Sequence, residues 1–261
     1  MFTLLLALAV LAAMVAGAVL AVGRFKVDDG ETGGAVGVVV APCVLALYLG
    51  AAAMGVVIGW ESYKGAEDGM MEEVGSAQSL YWSTVALPER ESAEVRTHLR
   101  AYLQSVIEDD WPRMEKGEGL SEEGDTAYAA LAASVRSLSV SDTGDGLDRL
   151  TAREELNTLG EARVERADAA AEDMPPMLTG IAALSAIAVA VLPFAMLRRG
   201  SRAAYFWAAA NLLFVFGTVL LLFYMGHPFS GVLALDPGGI EDALNGFDAI
   251  DRALASSASV H

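Results

Sequence analysis

The sequence predicts an all-α, polytopic membrane protein with four transmembrane helices and a helical extramembrane region between the second and third. Three observations carry this. Residues 1–23, 33–60, 174–197 and 203–235 contain no charged side chain. Each block reaches the roughly 20 apolar residues that a helix needs to cross a hydrocarbon core. The long polar segment between the second and third blocks places its apolar residues at helical spacing. Hydrophobic residues make up 54% of the chain, and they are gathered into these blocks.

The first span is expected over 2–22. A cleaved leader would carry bases ahead of its apolar run, whereas Arg24 and Lys26 follow it, so a retained span is expected. Ala9, Ala13, Gly17 and Ala21 repeat every four residues, a spacing that lets a neighbouring helix come close. The turn-prone Gly33-Gly34 leads to the second span, 35–60, with Pro42 near its start and small residues at Ala51, Gly55 and Gly59. The extramembrane region covers 61–173. There the second helix is expected to run on to about Leu87, with Pro88 in a first helical turn. Val95, Leu99, Tyr102, Leu103, Val106 and Ile107 form one face of an amphipathic helix. Pro112, Gly117, Gly119 and Gly124 mark a loop. Further helices are expected over 126–140 and 147–171. The third and fourth spans are 176–197, with Pro193 as a kink or exit, and 203–225. The tail, 226–261, reads as short, acidic and partly disordered beyond Asp251.

Charge limits the function classes. The net charge is −17, and residues 61–173 hold 26 acids against 11 bases. Nucleic acid is excluded as a partner, since phosphate binding needs a basic footprint. An acidic region of this kind is either a solvated helical surface or a vestibule that concentrates cations.

Candidate chemistry is sparse. Cys43 is the single cysteine, which leaves no internal disulfide, zinc cluster or redox pair. His98, His227 and His261 lack second ligands at metal spacing. Glu108-Asp109-Asp110 reads as solvated acids at a helix end. Asp142, Asp145 and Asp148 lack the alternating ligands and terminal glutamate of a calcium loop. No phosphate loop or nucleophile elbow occurs. The expectation is a protein that is not an enzyme, with no cofactor and no metal site. Within the spans, Asn211 is expected to bond to a neighbouring helix. No acid or base stands mid-span, which disfavours charge-coupled transport and leaves a pore closed by apolar side chains.

The segments "WESYKGA" after the second span, "ALPERESAEVRTHLRAYLQSVIEDDWPRMEKG" in the polar region and "HPFSG" after the last span resemble the bacterial bestrophin-like family. The resemblance runs along essentially the whole chain and rests on Trp60, Tyr102, Glu108, Trp111, Pro112, Pro228, Phe229, Ser230 and Gly231. Bestrophins are homopentameric ion channels, so the resemblance implies a multi-pass cell-membrane protein. Its partners would be the lipid bilayer, small inorganic ions and four further copies of itself. It also implies an axial pore lined by the second span, with a narrow apolar neck beside a proline. Matching that proline to Pro42 sets Ala41, Leu45 and Leu49 toward the neck, at i, i+4, i+8. Animal bestrophins carry aromatic neck residues where this chain has Ala and Leu. Bestrophins follow a Pro-Phe-Gly segment with a dense acidic run that helps bind calcium; here Ser230 interrupts that motif and only Asp236, Glu241 and Asp242 follow, so no calcium site is carried over. A non-conducting membrane interaction or scaffold module is the alternative function.

Two indications of topology oppose each other. The loops after spans one and three hold Arg24, Lys26, Arg198, Arg199 and Arg202, against Lys64, Arg163 and Arg166 near the other membrane ends. The positive-inside tendency puts the first five in the cytoplasm, whereas bestrophin architecture puts the acidic region there.

Overall fold

The computed structural model describes residues 41–85, 87–138, 146–171, 176–196 and 202–258, together with 12, 14–17 and 20. Its helices are α1 (Ala41–Ser83), α2 (Glu89–Ser105), the short α3 (Trp111–Met114), α4 (Glu122–Ser137), α5 (Gly146–Ala171), α6 (Pro176–Met196), α7 (Arg202–Met225) and α8 (Gly238–Ala258). A five-residue π turn, Val106–Asp110, joins α2 to α3. No strand occurs among the described residues. The chain divides into two compact units, 1–62 with 173–226, and 63–172 with 227–261. The 43-residue α1 contributes to both.

In the first unit, Tyr48 of α1 packs with Met14, Ala186, Val189, Ala190 and Val215. The small-residue ridge of α1 is buried at Ala51, Gly55 and Gly59. A Cβ on Gly55 would stand 3.0 Å from Leu222 Cδ2, and one on Gly17 would stand 2.9 Å from Val191 Cγ2. Glycine at these two points is therefore what allows the close approach. Asn211 of α7 donates to the Val189 carbonyl of α6 at 3.0 Å, which satisfies an amide that hydrocarbon would not. Pro193 lies inside α6. Among the described residues, two helices are long and apolar enough to cross a membrane, Ala41–Ser83 and Tyr205–Met225, and a third apolar stretch, Gly180–Phe194, is shorter. The predicted first span falls almost wholly outside the described residues, as does the 142–145 turn.

In the second unit, one core gathers Met70, Leu80 and Tyr81 from α1 with Leu99, Tyr102 and Leu103 from α2. Leu131 and Val135 of α4, Leu156 and Leu159 of α5, and Ile240 and Phe247 of α8 complete it. Ser121 caps α4 by accepting from Gly124 N at 2.9 Å, so α4 starts earlier than the glycines of 117–124 suggested. Pro88 stands just ahead of α2 as its cap, not inside its first turn. Proline has no N–H for Glu91, three residues on, to accept in a capping box, and Glu91 Oε2 is buried without a partner. The tail differs most from expectation. It is helical to Ala258, because Ile240, Ala243 and Phe247 form an apolar face that is fully buried.

Candidate functional site

Two groups of residues bear on function, one in each unit. In the first, the predicted neck positions lie near the start of α1. Leu45 and Leu49 are 45% and 53% exposed, Pro42 is exposed and Ala41 half-buried, while Tyr48 is buried. Leu47, about 200° around the helix from Leu45, is 60% exposed. Most of this helix surface is thus open in the single chain.

In the second unit, the structure assembles a group of side chains that sequence reasoning had left on the surface. Arg166 of α5 donates from Nε to Glu73 Oε2 at 2.7 Å and from Nη2 to Asp110 Oδ2 at 3.1 Å. Arg163, one turn earlier, reaches Asp110 Oδ2 at 3.1 Å and Asp125 Oδ1 at 2.8 Å. Asp110 also accepts from Ser121 N at 2.8 Å and Ser121 Oγ at 2.6 Å. The Tyr102 hydroxyl donates to Glu73 Oε1. The side chains of Glu73, Asp110 and Arg166 have no solvent exposure, and Arg163 has 6%. Five segments meet here: α1, α2, the π turn, the cap of α4, and α5.

Local sequence explains the placement. Pro112 cannot lie against the carbonyl four residues back, at Glu108, and the turn ahead of it widens, with Trp111 N bonding to Val106 O. That extra residue per turn turns Asp110 inward and leaves Glu108 exposed, where it accepts from Gln104 at 2.9 Å. The expectation that all three acids of 108–110 are solvated is therefore wrong for Asp110. Arg163 and Arg166 are held in the interior of the second unit by ion pairs with Glu73 and Asp110.

The electrostatics are balanced inside the cluster. Burial would raise the Asp110 carboxyl, but hydrogen bonds from Ser121 and the charges of Arg166 and Arg163 outweigh it and hold the group below the ordinary range. Burial would lower Arg166, and the Glu73 carboxylate reverses this and raises it. Tyr102 is raised, first by burial and then by the Glu73 charge, and stays a neutral donor. With its charges matched and its hydrogen bonds made, the cluster works as an internal cross-link.

Two further motif residues, Trp111 and Phe229, belong to the core of the same unit. Trp111 is 3% exposed and meets Phe229 edge to face, ring centroids 5.6 Å apart at 88°. Pro112 is half-buried and Trp60 is 57% exposed. After α7 the chain turns: Ser230 N bonds to His227 O at 3.1 Å and Leu235 N to Pro228 O at 2.8 Å. Pro228 and Phe229 are buried and Ser230 half-buried. Gly231 is exposed and takes φ 98°, a conformation that favours glycine. Further along, Phe247 of α8 stacks on Tyr81, centroids 4.1 Å apart. Arg100 sits over both rings and reaches Asp248 at 2.7 Å and Asp251 at 2.9 Å. No group of three His, Cys, Asp or Glu is placed to hold a metal among the described residues. Asp236 accepts from Gly238 N at 2.8 Å at the start of α8.

Sequence reading missed Glu73, Asp110, Ser121, Arg163 and Arg166. A signal for them exists. Ala152, Leu156, Leu159, Arg163 and Arg166 continue one 4–3–4–3 register, and Ala66, Met70, Glu73 and Ala77 continue another. A charge in an apolar register is the mark of a buried pair.

The described residues are all-helical, and two of their helices are long and apolar enough to cross a membrane. The chain belongs to the bestrophin-like family, since residues 3–240 match the Bestrophin-like domain. Its fold is similar to the crystal structure of a bacterial bestrophin homologue from Klebsiella pneumoniae. The TM-score is 0.69 at 11% identity, over 96% of this chain and 98% of that one. No curated protein matches the chain in sequence.

Proposed function

We propose that the protein is the subunit of an oligomeric, pentameric membrane pore for small inorganic ions, with four spans. In this reading the start of α1 lines the axis, and Ala41, Pro42, Leu45 and Leu49 form an apolar neck that stops ions by dewetting. The observation that carries it is the exposure of Leu45 and Leu49 on a helix otherwise suited to a bundle, in a chain of the bestrophin-like family. An apolar row left open in one chain is what copies around an axis would share. The excess of acid in 61–173 favours cations at the mouth of such a pore. The native mass of the detergent-solubilised protein tests the assembly: a five-chain mass is expected, and a monomer excludes an axial pore.

The second reading, a non-conducting membrane interaction module, draws on the acidic surface as a docking face. Copurification of a stoichiometric partner, with an assembly that passes no ions, would favour it.

A further inference from the structure

We draw no further inference here: the strongest candidate, the exposed face of α1 in the second unit that carries Met71 and Trp82, supports none, because nothing in the structure shows what covers it.

Discussion

The Arg166 guanidinium lies 2.7 Å from the Glu73 carboxylate, both without solvent exposure and 93 residues apart in sequence. The pair ties α5 to the same helix that carries the predicted neck. Replacing such a pair by apolar groups is often neutral, but removing one partner strands a charge in the interior. Arg166→Met should therefore lower stability by about 3–5 kcal/mol, and Glu73→Gln should be similarly harmful. Chemical denaturation in detergent, followed by circular dichroism, measures both. A loss near zero for either would mean that the interior is wetter than the geometry implies.

Asp110 links this pair to acid stability. Its folded-state affinity for a proton is lowered, so its contribution is full above the unfolded value of about 3.9. It is lost as pH falls through the lower folded value. Melting temperature against pH should drop steeply on the acid side for the natural chain. Asp110→Asn should melt lower at neutral pH and show a shallower acid limb.

Two glycine substitutions should have opposite signs. In an open helical position alanine gains about 1 kcal/mol over glycine, and Gly246 in α8 has nothing within 4 Å of a built Cβ. At Gly124 the same Cβ would stand 2.5 Å from Asp110 Oδ1, and it would displace the buried carboxylate. Gly246→Ala should raise the melting temperature and Gly124→Ala should lower it.

The tail offers a third check on packing. Phe247 is fully buried against Tyr81, and burying an aromatic of this size is worth about 3–5 kcal/mol when it is cut to alanine. Phe247→Ala should free α8, which limited proteolysis would detect as early cleavage after about residue 236. A tail that stays protected would show that the Arg100 ion pairs hold it alone.

Much of this architecture was legible in the sequence, and the reason is periodicity. Charge-free blocks located α6, α7 and the start of α1, and the 3–4 spacing from Val95 to Ile107 located α2. The bounds of α4 were misplaced because Gly124 reads as a turn, although it serves as the small residue beside Asp110 within the first turn of a capped helix. The tail was misjudged because its acids and small residues hide the face formed by Ile240, Ala243 and Phe247. The buried charges were missed for a different reason: each one reads locally as a solvated residue. Only their ion-pair partners, 38 to 93 residues away in sequence, make burial affordable.

The central claim, an axial pore with an apolar neck on α1, is tested most directly by ion flux through the reconstituted protein in liposomes. Leu45→Ala and Leu49→Ala should each raise flux above the natural chain, while Leu47→Ala, equally exposed but on the far side of the helix, should leave it unchanged. Flux that is absent from an assembly of confirmed size, or that responds to Leu47 and not to Leu45 and Leu49, would contradict the account.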